Sequence, residues 1–261
     1  MTQKKSEPDV YLRKLLANES FPLSAKYDPQ WVVENQMGPN ALWLTEWLCR
    51  DMDLRPGMRV LDMGCGRCLS SVFLAREFGV EVWANDLWIS AAENWRRIRQ
   101  ADLEDQIFPI HAEAHSLPYA EEFFDAIVCV DAYEYFGTDD LYFDYFVKFV
   151  KPGGKVGIVV PGVKVELDGK VPDHLRFIWG PDYPRQLFSF HSPEWWRRHW
   201  QQANLAQVEI ADTLKDGWRH WIQSDEVFSG GDGGSESEAI RADAGRYLCF
   251  VRMIARRKES R

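Results

Sequence analysis

Apolar positions change rhythm along this chain. Over 40–52 the residues Leu42, Trp43, Trp47 and Leu48 recur at helical spacing behind the start signal Gly38-Pro39-Asn40. From residue 59 onward, short continuous apolar runs alternate with longer amphipathic stretches. The runs at 59–62, 80–85, 107–111, 124–130 and 155–160 predict five strands, the last of them after a turn at Lys151-Pro152-Gly153-Gly154. The stretches at 69–78, closed by Gly79, and at 89–103 and 141–150 predict the intervening helices. Strands that are apolar throughout need cover on both faces, so the pattern implies a parallel sheet between two helical layers. Ligands in such sheets sit beyond the carboxyl ends of the strands, here 62–68, 86–88, 113–115, 131–136 and 161–163.

The regular order ends after the fifth strand. Residues 161–190 are rich in proline and aromatics without a period, and Ser192-Pro193-Glu194 starts a helix running to about Ala203. Two last strands are expected at 208–211 and 247–254. Between them, the Gly-, Ser- and acid-rich run 229–238 reads as a flexible loop. The first 24 residues are polar, with a weak amphipathic stretch over 11–16.

Composition narrows the function. The 261 residues fit one large domain, and 31 basic against 40 acidic side chains leave a net charge of -9, which repels nucleic acid and anionic membranes. No apolar run approaches the roughly 20 residues of a membrane span, and the first residues lack a signal-peptide core, so a cytoplasmic location and no membrane insertion are expected. The five cysteines are odd in number and scattered, as in a reducing compartment. The twelve tryptophans concentrate in 31–47, 83–95 and 179–221.

The chemistry gathers at the first strand–helix junction. Val60-Leu61-Asp62-Met63-Gly64-Cys65-Gly66 puts two glycines where the chain turns, so a ligand can approach the backbone and meet a helix N-terminus. Asp86 stands 24 positions after Asp62, near the spacing of about 20 at which an acid binds ribose hydroxyls in Gly-rich nucleotide folds. The third glycine of a dinucleotide fingerprint is missing, since Leu69 stands there, and NAD is disfavoured. Cys65 and Cys68 also form Cys-x-x-Cys at a helix start, where a dipole lowers a thiol pKa, but no second pair completes a zinc site.

Together with Glu113-Ala114-His115-Ser116-Leu117-Pro118, Phe124-Asp125-Ala126-Ile127 and Val150-Lys151-Pro152-Gly153-Gly154, these motifs resemble those of class I S-adenosylmethionine-dependent methyltransferases over about 55–160. The resemblance implies a Rossmann-like doubly wound α/β sheet, mostly parallel with an antiparallel last strand. It also implies an N-terminal helical cap (1–54) on a methyltransferase domain (55–261) with a cofactor half (55–160) and a substrate-side insert (about 161–191). It further implies that Asp62 and the backbone of Gly64, Cys65 and Gly66 hold the methionine moiety, and Asp86 the ribose. Leu87 and Trp88 would flank the adenine, Glu113 and Ala114 would meet its amine edge, and Val130 and Asp131 would face the methionine end. Position 68, commonly glycine in the family, is Cys68.

The acceptor side is expected at 131–137, with a small molecule as acceptor. Glu134 is placed to act as a base or hold a cationic amine, or is a solvated acid at a helix start; Tyr135 and His191 complete the catalytic candidates. The same segment resembles the Ala-Phe-Glu-His-Phe-Gly run of cyclopropane fatty acid synthases, with Tyr135 in place of the histidine, so a lipid olefin is an alternative acceptor. A non-catalytic cofactor-binding scaffold is a third reading. Trp31, Trp43, Trp179, Trp195, Trp196, Trp218 and Trp221 come from segments that in this fold cover the cofactor; Trp196 and Trp200, four apart, read as core. Tyr27, Tyr183 and His220 read as hydrogen-bond partners. His111 and His115 bracket Glu113, and no metal is expected.

Overall fold

The computed structural model describes residues 12–14, 16–167, 171–178, 189–228 and 235–259. Seven strands, β1 (Arg59–Met63), β2 (Glu81–Asp86), β3 (Ile107–His111), β4 (Phe124–Val130), β5 (Val150–Val163), β6 (Ala206–Thr213) and β7 (Leu248–Arg257), form one sheet in the order β3-β2-β1-β4-β5-β7-β6. The first five run parallel, and β7 is antiparallel to both β5 and β6. The order reverses beside β1 and β4, and ligands bind at such a switch point.

Buried clusters on the two faces of the sheet hold the helices. One includes Val60, Val72, Phe73, Val82 and Ile254 with helices α2 (Ala41–Cys49) and α3 (Leu69–Phe78). The other includes Leu61, Ile127, Phe146 and Ile158 with α5 (Tyr142–Phe146) and α7 (Pro193–Gln202). Trp196 and Trp200 are fully buried there, and Trp200 stacks on Phe143 at 4.4 Å, so this pair is core, as its spacing suggested. Helix α1 (Pro29–Asn35) precedes α2, and α4 (Ala91–Gln100) follows β2 behind a Ser90/Glu93 capping box.

Several boundaries move for identifiable reasons. The expected turn at 151–154 lies inside β5, where the register slips between Phe124 and Ala126 and a Cβ on Gly154 would come 2.5 Å from the Asp125 carbonyl oxygen. At its other end β5 runs on to Val163 because β7 pairs with Pro161, Gly162 and Val163. The expected insert therefore begins as strand and also contains helix α6 (Asp173–Ile178).

Helix α8 (Gly217–Phe228) appears where no element was predicted, and α9 (Ser235–Asp243) takes over the end of the expected flexible loop. The acids Glu236 and Glu238 fall in the first turn of α9, where the helix dipole favours them, and the Ser237 hydroxyl donates to Asp225 of α8. Residues 229–234 of that loop lie outside the described residues. So do residues 11 and 15 of the amphipathic stretch at 11–16, and Trp179 and Tyr183.

One buried cation ties the N-terminal region to the far strands. Arg252 of β7 donates to Asp51 (2.7 Å), to both Asp212 oxygens (3.0 and 2.7 Å) and to the Trp47 carbonyl (3.0 Å). Its guanidinium also lies 4.7 Å from the Trp47 ring. The C-terminal end of α2 is thereby fixed to β7, while the turn before the helix brings Gly38 against Asp131 beyond the end of β4.

Candidate active site

The turn after β1 is built by backbone bonds. The amides of Gly64 and Cys65 both donate to the Asn85 carbonyl (2.8 and 3.0 Å), and the Gly66 amide donates to Asp86 Oδ2 (2.8 Å). Gly64 has a φ of 74°, and a Cβ there would lie 2.3 Å from that of Ala132, so only glycine fits. The other Asp86 oxygen accepts from the amides of Trp88 (2.7 Å) and Ile89 (2.8 Å), which bends the chain after β2 and fixes the carboxylate in place.

These turns enclose a cavity of about 350 Å³, at the lower end of the roughly 300–1,000 Å³ typical of ligand sites. Gly64, Cys65, Gly66 and Asp86 line it, as do Leu87, Trp88, Glu113, Ala114, Val130 and Asp131. Leu87 and Trp88 are 50% and 66% exposed, large apolar surfaces left in water. Glu113 accepts from the His115 amide (2.8 Å) and pairs with its ring (2.7 Å); this partner holds its carboxyl below the usual range. His111 bonds the Leu87 carbonyl (2.8 Å).

Asp62 departs from the expected arrangement. It is 1% exposed and absent from the cavity wall; its Oδ2 accepts from Ser70 and Ser71 of α3 (2.6 Å each), and burial pushes its carboxyl up to about 6. It anchors the helix behind the glycine turn. The Cys-x-x-Cys pair departs as well: both thiols are buried, and burial raises that of Cys65 far above its ordinary range, the opposite of an activated thiol. Among the described residues no three His, Cys, Asp or Glu side chains converge as a metal ion requires.

A second cavity, about 290 Å³, adjoins the first. Gly38, Asp131 and Tyr135 belong to both walls. The second is completed by Pro39, Glu134, Pro161 and Ser189, with Phe190, Trp221, Ser224, Asp225 and Glu236. Glu134 lies on a 3₁₀ turn (Tyr133–Tyr135); it is 4% exposed, its Oε2 has no hydrogen-bond partner among the described residues, and burial pushes its carboxyl up to about 8. Tyr135 is exposed and makes edge contact with Trp88 at 5.5 Å. Its hydroxyl is pushed up to about 12, by burial first and then by Glu134 and Asp131.

His191 is corrected. It lines neither cavity: Nδ1 pairs with Glu166 (3.1 Å) and the ring stacks on Trp195 at 3.5 Å, holding the entry to α7. Of the tryptophans assigned to a covering role, Trp221 lines the second cavity; Trp31 stacks on Tyr27 and Trp43 on Phe21. Tyr27 and His220 are hydrogen-bond partners, of Glu77 (3.3 Å) and Asn18 (3.0 Å).

The sequence reading missed the N-terminal wall, Met37 and Gly38, and the distal wall from α8 and α9. Gly38-Pro39-Asn40 was visible as a helix start, and Asn40 does cap α2. The additional reason for the glycine is spatial, since a Cβ at Gly38, φ 66°, would lie 1.9 Å from Asp131 Oδ2.

Residues 60–154 match the family described as "Methyltransferase domain". The chain is 32% identical over 126 residues to methyltransferase GfsG of Streptomyces halstedii, covering 48% of this chain and 45% of that protein. It is 30% identical over 152 residues to phosphoethanolamine N-methyltransferase 1 of Arabidopsis thaliana, covering 58% of this chain and 31% of that one. It thus spans less than half the length of these relatives. The solved structure of Haemonchus contortus phosphoethanolamine N-methyltransferase 2 with S-adenosyl-L-methionine shares the fold, with a TM-score of 0.71 at 17% identity over 95% of this chain and 60% of that one.

Proposed function

Residues 60–154 match a methyltransferase domain, and we propose that the chain is a class I S-adenosylmethionine-dependent methyltransferase that transfers a methyl group to an O, N or S atom of a small molecule. The observation that carries this reading is the junction of two cavities, since Gly38, Asp131 and Tyr135 face both. A donor in one and an acceptor in the other would meet there, and such positioning supplies much of the rate of a displacement.

The first cavity fits S-adenosylmethionine. A glycine cradle that a Cβ would fill, a carboxylate held at the end of β2 and two exposed apolar side chains beside it suit an amino-acid end, a ribose and a flat base. When bound, the cofactor supplies an activated methyl group on a positively charged sulfur. The 64–66 backbone and Asp131 would hold its amino-acid end, and Asp86 its ribose hydroxyls. Leu87 and Trp88 would cover the adenine face, and Glu113 and Ala114 its edge. Glu134, on the wall of the second cavity, would take the acceptor's proton once its carboxyl is ionised.

Calorimetric titration with S-adenosylhomocysteine tests the reading. Saturable binding is expected, weakened at least tenfold by Asp86→Ala through loss of the ribose acceptor. No binding by the parent chain, or equal binding by the variant, overturns the assignment.

A further inference from the structure

The second cavity has an electrostatic character that methyl transfer by itself does not require. Four carboxylates line it, Asp131, Glu134, Asp225 and Glu236, and none of its described lining residues is a lysine, arginine or histidine. The acids of this wall press on one another. Burial, Glu134 and Glu236 together hold Asp131 well above the carboxylate range, and Asp225 adds to the burial that raises Glu236.

Two buried polar atoms in this wall also lack partners among the described residues. They are Glu134 Oε2 and Ser224 Oγ, on side chains 4% and 1% exposed. Buried polar atoms are nearly always paired, and leaving one unpaired costs about 1–3 kcal/mol, so both await a ligand that donates hydrogen bonds or carries positive charge. The rest of the wall is aromatic. Trp221 is stacked on Phe250 at 4.8 Å and bonded to Glu236, with Phe190 and Tyr135 beside it. Aromatic faces attract cations. The absence of three converging metal ligands among the described residues favours an organic cation over a metal ion.

We propose that this cavity is the acceptor subsite and takes an amine in its ammonium form, with Glu134 as the residue that pairs with the nitrogen and receives its proton. The proposal rests on the methyltransferase reading above and names its substrate class. One ammonium charge offsets the mutual repulsion of the acids and supplies N–H donors to Glu134 and Ser224. For transfer, the nitrogen gives a proton to the Glu134 carboxylate, and its freed lone pair forms the new N–C bond. The C–S bond of the donor breaks with its electron pair left on sulfur.

The test is calorimetry on the full chain saturated with S-adenosylhomocysteine, using benzyltrimethylammonium, a cation with no proton to lose, against neutral benzyl alcohol. The cation is expected to bind at least tenfold more tightly than the alcohol. At pH 7, in two buffers of different ionisation heat, its binding is expected to release a proton from the acid cluster. Glu134→Gln should weaken the cation at least tenfold and remove most of that proton release, with S-adenosylhomocysteine affinity kept within twofold. Glu236→Gln, in the first turn of α9 and outside both core clusters, should weaken it several-fold.

Equal binding of cation and alcohol, or an unchanged cation affinity in both variants, overturns the proposal while S-adenosylhomocysteine binding preserves the methyltransferase reading. Failure of S-adenosylhomocysteine itself to bind overturns both.

Discussion

Cys68 shows how much one backbone angle decides. It holds φ 64° and ψ 22° with its side chain fully buried at the start of α3, a left-handed conformation that costs a non-glycine residue about 1–2 kcal/mol. Glycine there relieves the backbone but leaves the thiol's space empty. Chemical denaturation of Cys68→Gly is therefore expected within about 1 kcal/mol of the parent, whereas β-branched Cys68→Val should lose about 2 kcal/mol or more. Equal stabilities would remove the strain argument. Asp62 carries the complementary lesson: the strand-end spacing showed where an acid stands, and only the fold turned its carboxyl to Ser70 and Ser71 and away from the cavity.

At the scale of elements, caps were legible and partners were not. Asn40, Ser90 and Ser192 each accept from a backbone amide of the helix they precede, chemistry confined to a few neighbouring residues. Helices α8 and α9 were missed because their order comes from each other, through Ser237 on Asp225 and Arg241 on Glu226. His191 was misread for the same reason, since its partners Glu166 and Trp195 are set by the end of β5 and the start of α7. His191→Ala should lower stability by about 1 kcal/mol through the lost stacking and pairing, and leave S-adenosylhomocysteine affinity within twofold of the parent. A tenfold loss of that affinity would return His191 to the site.

For the whole molecule, the buried acids of the site set how stability varies with pH. The folded-state pKa of Glu134, about 8, lies above the roughly 4.3 of an unfolded chain. The neutral carboxyl therefore favours the fold fully below about pH 4.3, and that contribution is lost as pH rises through 8. Asp62 adds a smaller loss, between about pH 4 and its folded value of about 6. Glu134→Gln cannot ionise, so between pH 5 and pH 9 the stability difference in urea should move in the variant's favour by roughly 2–4 kcal/mol. A difference that stays constant with pH would show that this carboxyl is solvated.

The alternation of apolar strands and amphipathic helices, the glycine turn after β1 and the acid at the end of β2 are legible along the chain. Each depends on residues close in the chain, through backbone geometry, capping and side-chain period. Which acids share a cavity is set by packing between distant segments. Asp131 and Glu134 follow β4, while Asp225 and Glu236 arrive on helices about 90 to 105 positions later. Burial and mutual repulsion act through distance in space, and no local pattern records it.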